Sequence, residues 1–385
     1  MRKSNLIKIL NLPWKTTRWT FRKLRLFIKH RLGWLDEAVV VPYRGFYSRN
    51  HLFLAGAVME NKGLRKPERK SSVWQNIVAM LKRYSSDQIP GIDLEISLQG
   101  RKYESVSDEN GYFRVISDNG AEHSGNGTSW LPYTVRAVIE DENSLSEISA
   151  SSELVGASPG NTFGLISDID DTILVSHSTQ TLKKLRLMLL RNAITRKPFP
   201  GASAFYTALQ NGYSGKENNP VFYISSSEWN LYDLLDDFCS HNNFPRGVFM
   251  LRELEGGLFK SGQGNHNHKL LKIRAVMTAF DHLPFVLVGD NGQHDPYIYK
   301  QISEEFPGRV KVVYIRYISR RKSKKIKDLI KEMKDLGTDM LLVRDTYEAA
   351  LDAANRKLIA PDAGKKIHLE KDADINRPNP VEEIL

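Results

Sequence analysis

The chain has 385 residues, 41% hydrophobic and 26% charged, an ordinary globular balance with length for two or three domains. A single cysteine, Cys239, excludes an internal disulfide framework and a cysteine-based zinc site, and fits a reducing compartment. The formal net charge of +10 has a local origin: ten of the 55 Lys and Arg lie in residues 1–35, which hold no acid, leaving 45 to balance the 45 Asp and Glu.

That first segment contains no run of ~20 mostly apolar residues, so it does not read as a membrane span. Lys8, Asn11 and Lys15 interrupt every candidate secretory core. Pro13 ends a short leader, and helical spacing fits the residues after it. Phe21, Leu24, Ile28, Leu32 and Leu35 fall in one narrow stripe, with Arg18, Arg22, Arg25 and Lys29 beside it and Trp14, Trp19 and Trp34 interleaved. Residues 1–36 are therefore expected to form a basic amphipathic segment that rests on an anionic membrane surface, where each cation contributes roughly 1 kcal/mol. The plain alternative is a terminal helix packed on its own domain with its basic face in water. Nucleic acid is not the expected partner.

Residues 37–157 read as mostly strands: "AVVVPYRGFYS", "HLFLAGAVME", "IDLEISLQG", "YFRVIS", "YTVRAVIE" and "SEISASSEL", separated by turn signals such as Asn61-Lys62-Gly63 and Asn110-Gly111. A helical stretch at 71–84 interrupts them, and 118–129 is a polar, Gly-rich loop. A small antiparallel sandwich is the expectation, with no catalytic constellation in it. "SPGNT" (158–162) reads as a linker.

From 158 to 361 short apolar strands alternate with helical segments: "FGLIS", "VFYIS", "VFML", "FVLVG", "VKVVYI" and "MLLV". Strands apolar throughout are buried on both faces, which predicts an α/β domain with a Rossmann-like parallel sheet wrapped by helices. Ligands of such sheets sit beyond the carboxyl ends of the strands. There the sequence is polar. The first strand ends in Ser167-Asp168-Ile169-Asp170-Asp171-Thr172, the second in Ser225-Ser226-Ser227, and "FVLVG" in Asp290, with Asp295 five residues on. Lys269 opens a predicted helix between the last two.

Clustered carboxylates at strand ends are tolerable if a divalent cation neutralises them. Oxygen ligands without Cys favour Mg²⁺. Asp168 and Asp290 are candidate direct ligands, with the Asp170 carbonyl; Asp295 is placed to hold a metal-bound water or Lys269. Phosphoryl transfer needs positioning and charge neutralisation, and the metal, Lys269 and Ser225 supply both.

Asp-x-Asp-x-Thr, then a strand-end Ser, a lone Lys and Gly-Asp-x-x-x-x-Asp, in this order, resembles the haloacid dehalogenase superfamily of phosphatases. The stretches "SDIDDTI", "YISSSEWNLYDLL", "HKLLKIRAVM" and "FVLVGDNGQHDPYIY" are similar to the actin-patch-protein type of phosphatidate phosphatase, over about residues 163–360. Glu228 stands where that pattern expects Pro, and Asn291 where it expects Ser. The resemblance implies Mg²⁺-dependent hydrolysis of phosphatidate to diacylglycerol and phosphate through an aspartyl-phosphate. It implies Asp168 as nucleophile, Asp170 as acid and base, Thr172 orienting Asp170, Ser225 and Lys269 on the phosphoryl group, and Asp168, Asp170, Asp290 and Asp295 at the metal. Ser226 and Trp229 are further candidates for the substrate side, with Tyr232 near the mouth. A phosphatase of the same superfamily acting on a soluble or protein phosphoester is the alternative.

The remaining signals are weaker. Residues 181–199 form a second basic amphipathic segment, read equally as a lipid contact or a surface helix. Ser226 and Ser227 are expected to cap the helix after the second strand. His266 and His268 read as loop residues rather than ligands. Residues 320–334 read as a solvated helix face, with a second lipid contact as the alternative, 344–358 as a closing helix, and 362–385 as a disordered polar tail. A cytoplasmic protein held peripherally at a membrane is the expected setting.

Overall fold

The computed structural model describes residues 38–61, 88–121, 130–141, 144–169, 199–252, 267–292, 294–318 and 320–376. The expectations for 1–36, for the helix at 71–84, for most of the loop at 118–129 and for the segment at 181–198 fall outside them. Within the described residues the chain divides into two compact units, one up to Val155 and one from Gly156 onward.

The first unit holds eight strands: β1 (Ala38–Pro42), β2 (Gly45–Tyr47), β3 (Leu52–Glu60), β4 (Asp93–Leu98), β5 (Arg101–Val106), β6 (Tyr112–Ser117), β7 (Trp130–Asp141) and β8 (Ser144–Val155). Hydrogen bonds join them into one sheet in the order β1-β3-β2-β8-β7-β4-β5, with β6 paired to β3. The pairings are antiparallel except for β2 with β8. The expected sandwich is thus a continuous sheet around one core rather than two separate hydrogen-bonded layers. Alternation builds that core: Leu94, Ile96 and Leu98 of β4 and Tyr133, Val135 and Ala137 of β7 point inward. The Tyr133 hydroxyl donates its proton to the Tyr43 carbonyl at 2.6 Å, which satisfies a phenol buried in that core.

The second unit alternates strands and helices: β9 (Gly164–Asp168), α1 (Ala202–Asn211), β10 (Val221–Glu228), a 3-10 turn (Trp229–Leu231), α2 (Tyr232–His241), β11 (Val248–Arg252), α3 (Asn267–Ala279), β12 (Phe285–Asp290), α4 (Asp295–Glu305), β13 (Val310–Arg316), α5 (Arg320–Asp335), β14 (Met340–Val343), α6 (Thr346–Asn355) and α7 (Ala363–Asn376). The six strands lie in the order β11-β10-β9-β12-β13-β14, and every pairing is parallel. β9 and β12 are buried along their whole lengths, as strands without polar alternation should be. The chain runs outward from β9 to β11, then returns to the other side of β9 to build β12. That reversal opens a crevice at the carboxyl ends of β9 and β12.

The described part of the tail differs from expectation, and residues 377–385 lie outside the described residues. Residues 363–376 are the helix α7, packed on α1 and α6, rather than disordered. The polar residues that suggested solvation have partners. Asp374 accepts from the Gly201 amide at 2.9 Å and Glu370 from the Ala204 amide at 3.1 Å. Helix α1 has no side-chain cap of its own, so its free amino-end amides are capped from a distant helix. Lys371 pairs with Asp345 at 2.7 Å, and Ile367 is buried beneath. Among the described residues no helix is long and apolar enough to cross a membrane.

Candidate active site

The carboxyl rim of the parallel sheet gathers the acids. Asp168 ends β9, Asp290 ends β12 and Asp295 opens α4. One carboxylate oxygen from each lies within 4.8 Å of the others, and all three side chains are buried. Lys269, on the first turn of α3, donates to Asp168 Oδ1 at 2.7 Å and Asp295 Oδ1 at 2.8 Å and is itself buried. Three carboxylates against one ammonium leave these four groups at a formal charge of −2. Burying uncompensated charge costs several kcal/mol. Hard oxygen donors with that charge deficit fit a divalent cation such as Mg²⁺.

Local backbone sets this geometry. The Gly292 amide donates to Asp290 Oδ1 at 2.5 Å, and the Asp290 amide to Asp295 Oδ2 at 3.4 Å. Gly289 lets α4 come this close. A Cβ there would stand 2.9 Å from Asp295 and 2.8 Å from the Tyr299 ring. Asn291 clips the neighbouring strand: its amide donates to the Arg316 carbonyl at 3.0 Å and its Oδ1 accepts from the Ile318 amide at 2.6 Å.

Beneath the carboxylates lie two buried tyrosines that the sequence did not single out. Ser167 Oγ donates to the Asp168 carbonyl at 2.8 Å and meets the Tyr206 hydroxyl at 2.6 Å. A serine has one proton, so Tyr206 donates to Ser167 in this chain. Tyr299 donates to the Val288 carbonyl at 2.8 Å. Burial, with the acids nearby as a smaller cause, pushes both phenols well above their ordinary range, so both stay protonated. The available signal was the helical spacing of Ala202, Phe205, Tyr206 and Leu209, which makes Tyr206 a core-facing residue of α1.

The second strand end is also present. Ile224 stands opposite Asp168 in the β9–β10 register, so Ser225 lies one residue beyond it. Ser225 and Ser227 are fully buried and Ser226 half-buried. The expected capping by Ser226 and Ser227 is corrected. β10 continues, through an irregular register, to Glu228. Ser225 Oγ accepts from the Ser227 amide at 2.8 Å. The residues at the helix starts are Glu228 and Leu231, neither with a side-chain cap. Trp229 and Tyr232 stack at 6.2 Å, and Tyr232 meets Phe249 edge-on. Both are buried, which makes them part of the wall beside β10. His268 is buried beside Lys269 on α3. Asp170, Thr172 and His266 lie outside the described residues.

Comparison with known proteins agrees with this geometry. Residues 163–317 match the family model "Phosphatidate phosphatase APP1, catalytic domain". Phosphatidate phosphatase APP1 of Saccharomyces cerevisiae is 30% identical over 158 residues, which cover 40% of this chain and 26% of that protein. An uncharacterized protein of Schizosaccharomyces pombe is 27% identical over 157 residues, covering 40% of this chain and 25% of that one. The chain thus aligns with about a quarter of the length of these relatives. Among solved structures, a beta-glucuronidase of Bifidobacterium dentium complexed with coumarin-3-O-glucuronide has a TM-score of 0.25 at 10% identity, over 89% of this chain and 60% of that one. A likeness that slight carries no argument. The matched residues 163–317 hold Asp168, Ser225, Lys269, Asp290 and Asp295, so the likeness to the phosphatidate phosphatase APP1 catalytic domain spans every described residue gathered at this rim.

Proposed function

We propose that this domain is an Mg²⁺-dependent phosphatase of the haloacid dehalogenase type that hydrolyses phosphatidate to diacylglycerol and phosphate. The observation that carries the reading is the set of three buried carboxylates within 4.8 Å of one another, with Lys269 bonded to two of them.

In this reading Asp168 attacks the phosphorus, and the bond from phosphorus to the glycerol oxygen breaks. Asp170 gives that oxygen its proton, so diacylglycerol leaves neutral. Asp170 then takes a proton from water. The water attacks the aspartyl-phosphate at phosphorus, releasing phosphate and restoring Asp168. Thr172 orients Asp170. Lys269 and Ser225 hold phosphoryl oxygens, with Ser226 at the same strand end and Trp229 lining the wall. Lys269 also keeps Asp168 ionised, because it bonds the carboxylate form. The metal would be held by Asp168, Asp290 and the Asp170 carbonyl, with Asp295 alongside; when bound it lets an anionic ester approach an anionic nucleophile.

The basic amphipathic segment at 1–36 supports a lipid substrate, since an enzyme acting on a headgroup must reach the bilayer. The protein is read as peripheral to the membrane on the cytoplasmic side. Phosphate release from phosphatidate vesicles, set beside release from small soluble phosphoesters, is the test. Preference for the vesicles supports the reading. Equal or better turnover of the soluble esters would move the assignment to the wider superfamily.

A further inference from the structure

We propose that Glu228 and Arg252 are a positioning pair for the phosphoryl end of the site: their ion pair closes the bulge of β10 that carries Ser225, and phosphate binds tightly only while that bulge is closed. This deepens the phosphatase reading and rests on it.

The register locates the bulge. Ile224 lies opposite Met250 of β11, and Glu228 lies opposite Arg252. Three residues of β10, Ser225 to Ser227, therefore face one of β11, Leu251. β11 covers the interval in two steps, about 6.6 Å, and β10 takes four. The surplus leaves the ladder, as extra strand residues do beside binding sites. It does so at the carboxyl rim, because Ile224 is also the register partner of Asp168.

Such slack has many arrangements unless both ends are held. The entry is held by backbone: the Ile224 carbonyl accepts from the Ile169 amide at 3.2 Å. Within the bulge the Ser227 amide donates to Ser225 Oγ at 2.8 Å. That bond takes a lone pair of a hydroxyl with one proton, so Ser225 meets a phosphoryl oxygen as a donor. The exit is where Glu228 returns to the ladder. There Arg252 donates to Glu228 Oε1 at 3.0 Å. Both side chains are 26% exposed, against 68% and 41% for Lys102 and Glu95. Shelter from water lets a charge-assisted bond hold a geometry.

Charge and positioning predict opposite signs at Glu228. A carboxylate three residues from a phosphate-binding serine repels phosphate, so by charge alone its removal tightens binding. Removal of a pin loosens it, because a misplaced donor no longer meets its oxygen.

The test is binding of inorganic phosphate to the full chain in saturating Mg²⁺, followed by calorimetry. Glu228→Ala should raise the dissociation constant by about tenfold. Glu228→Gln keeps an acceptor of the same length for Arg252 and should lose less. Arg252→Met should weaken phosphate at least as much as Glu228→Ala, and the double variant no more than Arg252→Met, since each breaks the same bond. The dissociation constant for Mg²⁺ alone should stay within about twofold throughout, which a general loss of structure would not allow. Glu305→Ala, which breaks a comparably exposed pair with Arg274 at the far end of α4, should change neither constant. Tighter or unchanged phosphate binding in Glu228→Ala overturns the proposal. So does a parallel loss of Mg²⁺ binding. The phosphatase reading fails separately: a parent chain that binds no phosphate in Mg²⁺ defeats it and the positioning role together, whereas phosphate binding indifferent to Glu228 leaves it standing.

Discussion

Lys102–Glu95 in the first unit and Lys269–Asp168 in the second are ion pairs of nearly equal length, 2.9 and 2.7 Å. Their surroundings are opposite. The first pair is 68% and 41% exposed; the second is 6% and 1% exposed. An exposed pair contributes ~0–1 kcal/mol, because water serves both partners nearly as well. Removing one member of a buried pair costs about 3–5 kcal/mol, since the charge left behind has no water. A chain has little reason to bury such a pair for stability alone. The parallel sheet concentrates buried charge at one rim, and that concentration marks chemistry.

The difference can be broken by substitution. Asp168→Asn should show the largest effect, a loss of roughly four to six orders of magnitude in kcat for phosphate release, if it is the nucleophile. Lys269→Met should lower kcat by about two to three orders of magnitude and destabilise the second unit, measured by urea unfolding. Lys102→Met, the matching change in the first unit, should stay within about 0.5 kcal/mol. Asp290→Asn sharpens the contrast from the other side. It removes one of three crowded carboxylates, so without metal it should raise the melting temperature, by about 1–2 kcal/mol of stability. Mg²⁺ should raise the melting temperature of the parent chain and much less that of the variant.

A smaller effect belongs to the end of the second unit. Asp345 caps α6 through the Glu348 amide at 2.9 Å and holds Lys371 of α7. Burial raises its carboxyl, but the Lys371 ammonium and backbone amides outweigh burial and hold it below the usual 3.8. A carboxyl lowered in the folded state stabilises above its unfolded value and loses that contribution as pH falls through its folded value. Asp345→Ala should therefore cost about 1 kcal/mol near neutrality and progressively less as pH falls below 3.8, followed by chemical denaturation.

The parallel sheet was legible because its strands are apolar without alternation and end in acids or serines. That punctuation singled out Asp168, Ser225 and Asp290 as candidates, and Asp295 followed from its place five residues after Asp290. Lys269 came from its place at a helix start between two strand ends. What the sequence hid was partnership across distance. Glu370 and Asp374 look like a solvated tail until α1 is seen to lack its own cap. Ser167 and Tyr206 are 39 residues apart, and their hydrogen bond beneath Asp168 exists only once α1 packs on β9. Ser226 and Ser227 looked like caps because serine before a helix usually is one; the irregular end of β10 uses the serines in the strand instead. In the first unit, alternation revealed the strands. The single path of hydrogen bonds through all eight depends on β2 pairing parallel to β8, a contact about a hundred residues apart that no local pattern encodes.

Trapping the covalent species tests the central claim most directly. The enzyme would be quenched in acid during turnover of phosphatidate with Mg²⁺, reduced with borohydride, digested, and read by mass spectrometry. Aspartate at 168 should be reduced to homoserine only when substrate and metal are both present. Modification at another residue, or full turnover with position 168 untouched, would contradict the aspartyl-phosphate route.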